Sequence, residues 1–137
     1  MNRRNLVIAC VLLVAAVLFY RGFGAQDQPV TGAALVNVIV PELSGTAKEG
    51  EALFNRSCAS CHGTNAAGQD GVAPPLVHKI YEPGHHGDAS FLIAARNGVR
   101  AHHWPFGNMP PVEGTTDTEI EKITVYVREL QRANGIH

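Results

Sequence analysis

The chain is 137 residues long, 45 % of them apolar and 17 % charged, which allows one ordinary domain with an appendage and excludes an intrinsically disordered chain. All twelve acids but only eight of the eleven lysines and arginines lie beyond residue 24, so the body carries −4. Scattered bases on an acidic body exclude a nucleic-acid binder, and three cysteines are too few for a disulfide scaffold.

Asn2-Arg3-Arg4 precedes fifteen residues, Leu6 to Tyr20, without a charge or strongly polar side chain, and Arg21 ends the run. Residues 1–24 therefore read as a signal sequence or an N-terminal membrane anchor. Fifteen apolar residues stand at the upper edge of a cleavable signal and below the ~20 of a comfortable membrane helix. A retained anchor is the preferred reading, with Arg21 snorkelling so that Phe23 extends the span. In both cases the leading arginines stay cytoplasmic, and the rest is delivered to the periplasmic side of a bacterial inner membrane. Cys10, inside this run, reads as a small membrane-buried residue.

Residues 25–45, with Pro29, Gly32, Pro41 and Gly45, read as a linker, in which the β-rich stretch Leu35 to Val40 is a candidate short strand packed on the domain or on a partner. The folded unit is then 46–137. Thr46-Ala47-Lys48-Glu49 has the form of a capping box, opening a helix to about Ser57 that puts Ala47, Gly50 and Phe54 on one face. Asp88 is placed to cap a shorter helix carrying Phe91, which Gly98 stops in a left-handed turn. Thr116-Asp117-Thr118-Glu119 repeats the capping signature, and Ile120, Ile123, Val127 and Leu130 follow at helical spacing. Three short helices joined by long loops leave a thin core, so something beyond side chains must organise the middle.

Cys58-Ala59-Ser60-Cys61-His62 supplies it. Two thiols three residues apart can add across the two vinyl groups on one edge of a porphyrin, and the next residue's imidazole then reaches the iron. A zinc site needs further soft ligands that the exported part lacks, and a thioredoxin-like dithiol needs a βαβ setting. The expectation is one covalent haem c, attached through Cys58 and Cys61, with His62 as a metal ligand. For the opposite face Met109 is the only methionine besides the initiator, in a loop stiffened by Pro110 and Pro111. His78, His85, His86, His102 and His103 are the competing ligands, and a histidine there lowers the reduction potential.

Over residues 46–137 the sequence resembles the class I c-type cytochromes. Gly50 and Phe54 look like that family's glycine and aromatic that pack on the carboxyl-terminal helix, with Tyr126 as their partner. Pro74-Pro75-Leu76 is similar to the family's Pro-x-Leu segment, which implies that the Pro74 carbonyl accepts the Nδ1 hydrogen of His62 and so belongs to the cofactor-binding set. Ala73 stands where the family usually has glycine. The resemblance implies an all-α cytochrome c-like fold of three to four short helices, with long loops wrapped around one haem.

The function expected is electron transfer on the periplasmic side, one electron at a time, between redox proteins such as an oxidase, a dehydrogenase or a copper protein. Filled axial positions leave no place for a substrate, so the chain is expected not to be an enzyme by itself. The alternatives are a permanently docked cytochrome subunit of a larger oxidoreductase, and a haem enzyme or gas sensor in which Met109 leaves the iron. The pairs His85-His86 and His102-His103 could bind copper or zinc, or be ordinary surface histidines. Trp104, Arg96 and Arg100 are candidates to meet the haem propionates.

Overall fold

The computed structural model describes Leu12, Leu13 and residues 32–137. The targeting-segment reading of residues 1–24 falls, apart from those two leucines, outside the described residues. Among the described residues no helix is long and apolar enough to cross a membrane.

The body over residues 32–137 is all-α, with four helices and no strand among the described residues: α1 (Gly45–Ser57), α2 (Ala59–His62), α3 (Asp88–Asn97) and α4 (Asp117–Ala133). Its core is the crossing of α1 and α4. Gly50 makes that crossing close, because a Cβ there would stand 2.1 Å from the Lys122 carbonyl oxygen and 2.9 Å from the Tyr126 Cβ. One turn on, the rings of Phe54 and Tyr126 meet at 5.4 Å between centroids, and both residues are fully buried. Ile123, Val127 and Leu130 complete the buried cluster, as the 3.6-residue stripe requires.

The capping expectations part company. Thr116 and Glu119 do form the reciprocal capping box of α4, Glu119 N–H to Thr116 Oγ1 at 3.3 Å and Thr116 N–H to Glu119 Oε2 at 2.9 Å. The box expected at Thr46 does not form: α1 already begins at Gly45, with Ser44 as its N-cap residue. Glu49 turns instead to Lys122 Nζ, 2.6 Å away, tying α1 to α4. Asp88 is the first residue of α3 rather than its cap, which is Gly87, and its carboxylate accepts from Arg128 Nε at 2.8 Å.

Residues 35–40 form no strand. Leu35 and Val36 donate to the Ala67 carbonyl at 3.1 and 3.2 Å, Val38 packs on the core, and Ile39 exchanges two hydrogen bonds with the Asn134 side chain at 2.9 and 2.8 Å. The stretch is strapped across the body without a neighbouring strand to pair with.

Candidate functional site

The site is built on a tight turn. Cys58 caps the short α2, whose last residue is His62, and Gly63 then takes φ +72°. That conformation suits glycine, and a Cβ here would stand 2.4 Å from the Gly68 carbonyl oxygen. Asn65 and Ala66 follow with φ of 56° and 57°, so the chain doubles back, and the Ala66 carbonyl receives the N–H of Leu76 at 2.9 Å. The reversal brings Pro74 beside His62, with Nδ1 2.9 Å from the Pro74 carbonyl oxygen. A carbonyl only accepts, so Nδ1 carries the hydrogen and Nε2 keeps a free lone pair. Burial holds the His62 imidazole below its ordinary pKa, against the smaller opposing effect of the Pro74 hydrogen bond, and so favours the neutral ring that metal ligation requires.

Cys58 is half-buried and Cys61 exposed. Burial, and secondarily Cys61, pushes the Cys58 thiol up to about 11. A redox-active C-x-x-C pair depends on the opposite shift, toward an accessible thiolate, so the dithiol-oxidoreductase reading loses ground here.

Met109 enters from the far side of the fold. The loop after α3 folds back so that Val99 and Met109 exchange both backbone hydrogen bonds, at 2.9 and 3.0 Å, in an isolated antiparallel bridge. Val112 N–H adds a bond to the Ala95 carbonyl at 2.7 Å. Gly98, with φ +72°, lets the two loop segments approach, since a Cβ there would stand 2.5 Å from the Met109 carbonyl oxygen.

Cys58, Cys61, His62, Pro74 and Met109 all line one cavity of about 580 Å³, between the α2 turn, α3 and the Met109 loop. Its wall is largely apolar, with Leu76, Phe91, Val99 and Ile123 among its residues. Two polar groups in that wall, the Trp104 indole N–H and the Thr115 hydroxyl, are buried without a hydrogen bond of ordinary geometry, although the indole leans toward the Tyr81 phenol. These features fit haem c: two thiols, a neutral imidazole and a thioether around a large apolar space, with buried donors left for a polar substituent.

Of the other propionate candidates, Arg100 lines the cavity, whereas Arg96 does not and is engaged by the Asp117 carboxylate. The four loop histidines lie together. His86, His102 and His103 are in the cavity wall, with His85 beside them. His103 is held below its ordinary pKa by partial desolvation, then by the neighbouring His102, His86 and His85.

Sequence reasoning missed Arg128 and Gln131. Both are buried in α4, where Arg128 donates to the carbonyls of Tyr81, at 2.6 Å, and of His86, and lies 4.9 Å from the Phe91 ring centroid. Gln131 donates to the carbonyls of Leu76 and Tyr81 at 2.8 and 3.0 Å. Thr124, Arg128 and Gln131 widen the apolar stripe of α4 at helical spacing, the one signal that could have exposed them.

A helical cage around an apolar cavity, with a C-x-x-C-H turn on its wall, defines a covalent-haem domain. The Cytochrome c family model matches residues 47–131, and the chain belongs to that family. The chain is similar to the Cbb3-type cytochrome c oxidase subunit FixP of a Bradyrhizobium species, 40 % identical over 86 residues, which are 61 % of this chain and 27 % of that protein. It is also similar to the Cbb3-type cytochrome c oxidase subunit CcoP of Azospirillum brasilense, 33 % identical over 93 residues (64 % and 29 %). A FixP subunit of Bradyrhizobium diazoefficiens is 36 % identical over 109 residues (76 % and 35 %). The matches span about a third or less of those relatives' length.

Proposed function

We propose that the chain is a one-haem electron-transfer module, with Cys58 and Cys61 as the attachment points, His62 Nε2 and the Met109 sulfur as the iron ligands, and residues 46–137 as the functional domain. The carrying observation is that these four side chains, from two separate turns, line the same apolar cavity. Haem c, when bound, supplies a one-electron ferrous/ferric couple. The protein's residues do the rest. The Pro74 carbonyl orients His62 and strengthens it as a donor; the Val99 bridge and the prolines 110 and 111 hold a weak thioether ligand in place; the apolar wall excludes water. With His62 and Met109 both engaged in holding the iron, the module would move electrons and transform no substrate.

The module works on the periplasmic side, delivered by residues 1–24 and held there if that segment is retained. Its partner is a respiratory oxidoreductase. The relatives' names favour a second form of the same reading, in which the chain is a cytochrome subunit docked on a terminal oxidase. Absorption spectroscopy tests the core of it. The ferric protein should show the sulfur-to-iron charge-transfer band, Met109→Ala should lose it, and the ferrous protein should ignore carbon monoxide. A band that survives in Met109→Ala transfers the ligand to a histidine, and ready carbon monoxide binding favours the sensor or enzyme alternative. Purification from detergent separates the carrier from the docked subunit.

A further inference from the structure

We propose that His85, His86 and His103 form a binding site for a late first-row transition-metal dication, zinc or copper(II), which staples together the two loops flanking α3 at the rim of the cavity. One ligand-capable atom from each lies within 4.8 Å of the other two. The ring centroids are 4.7 Å apart for His85 and His86, 5.3 Å for His86 and His103, and 5.5 Å for His85 and His103. Two imidazoles on one tetrahedral ion have their centroids roughly 5 Å apart. The rings are thus already spaced as ligands. Bringing the nitrogens to the roughly 3.3 Å that a shared tetrahedral ion requires takes only rotation of side chains, and His85 and His103 are exposed enough to rotate.

A second observation concerns His86. Its Nδ1 lies 2.6 Å from the Ile80 carbonyl oxygen, which makes Nδ1 the hydrogen-bearing nitrogen and leaves the Nε2 lone pair for an ion. This is the backbone-carbonyl support that metal-ligating histidines commonly have. The guanidinium of Arg128 in turn grips the carbonyls of Tyr81 and His86, so the half-buried ligand sits on a fixed loop while the two exposed ones can adjust. All three ligands are imidazoles, a set that suits zinc and copper rather than calcium or magnesium. His102 is close to His103, 4.1 Å between centroids, but it lies outside the triad of mutually close ligand atoms. The fourth position is left to water.

The test uses the full-length, haem-loaded protein without an affinity tag. Calorimetric titration with zinc ion alone should give one ion per chain. Loss of one ligand in His85→Ala or His103→Ala should weaken binding by about tenfold or more, while His102→Ala stays within about twofold. Copper(II) added to the ferric protein should show electron-paramagnetic nitrogen couplings that diminish in the same two variants. The sulfur-to-iron charge-transfer band, retained in every variant, reports that the iron ligands are intact even where a cavity-wall histidine has been replaced. Absence of stoichiometric zinc binding, equal binding by the His85→Ala/His103→Ala double variant, or a haem spectrum that shifts because one of these histidines serves the iron would each overturn the site. Only the last outcome bears on the Met109 assignment.

Discussion

Met109 is bonded at both backbone atoms to Val99, and the residue before that partner, Gly98, has room for no side chain on the face toward the Met109 carbonyl. Gly98→Ala forces a Cβ to within 2.5 Å of that oxygen at φ +72°, so the bridge must open. The expected cost is roughly 1–3 kcal/mol of stability. A weakened charge-transfer band and carbon monoxide binding to the ferrous protein should accompany it. An alanine variant with wild-type melting and wild-type inertness to carbon monoxide would show that the bridge does not hold the thioether.

Gly50→Ala attacks the other end of the molecule. The added methyl meets Lys122 backbone rather than a movable side chain, so α1 and α4 must separate around Phe54 and Tyr126. Overpacking of this kind costs about 1–3 kcal/mol or more, read as a lower denaturant midpoint with an unchanged slope. The haem spectrum should change little, because Gly50 is not in the cavity wall.

Arg128 ties α4 to Asp88 and to two loop carbonyls from a nearly buried position, its side chain 7 % exposed. Arg128→Ala leaves the His86 carbonyl without its donor and the Tyr81 carbonyl with Gln131 alone, and should lower stability by roughly 3 kcal/mol. Arg128→Lys should recover only part of it, since an ammonium cannot reproduce the planar fork. A lysine variant as stable as the parent would mean that the charge alone matters.

Acid sensitivity should report on Glu119. Its carboxyl is held at about 2, below the ordinary 4.5, first by the Thr116 backbone N–H and then by Arg56 and the Thr116 hydroxyl. A depressed folded-state value stabilises the fold above the unfolded pKa, and that contribution disappears as pH falls from about 4.5 through about 2. Glu119→Gln should therefore be less stable at neutral pH and lose less between pH 5 and pH 2, about the window set by those two values, in thermal melts. Parallel acid limbs for variant and parent would remove Glu119 from the account.

Blocking attachment with Cys58→Ser/Cys61→Ser tests the dependence of the fold on its cofactor. An apolar cavity of about 580 Å³ without its occupant is far larger than any gap a packed core tolerates, so the polypeptide alone has too little to pack around. The double variant should be largely unfolded or molten by near-UV circular dichroism. A cooperative melt near the parent's temperature would show that the polypeptide core suffices.

How much of this the sequence discloses depends on the range of the interactions. The α4 stripe and its capping box are local patterns, and they reappear as read. Cys58 to His62 is legible because the chemistry itself dictates the spacing. The box at Thr46 and the cap at Asp88 fail for one reason: Glu49 and Asp88 find partners on α4, Lys122 and Arg128, some 73 and 40 residues away, and no local pattern encodes those. The clamp on Met109 is likewise a single bridge across ten residues, too short to show any periodicity. The histidine pairs are visible as pairs, but that they meet depends on how the loops around α3 close. Arg128 and Gln131 were obscured by the expectation that polar residues face water.

The strap over residues 35–39 has a mechanical implication. Tension entering the body from residue 32 is met first by the Asp70 N–H on the Ala33 carbonyl at 3.0 Å, then by the Ala67 carbonyl and by the two-pronged grip of the Asn134 amide on Ile39, all upstream of α1. Those few bonds act as a fuse. They can peel in sequence and lengthen the leash before load reaches the crossing of α1 and α4.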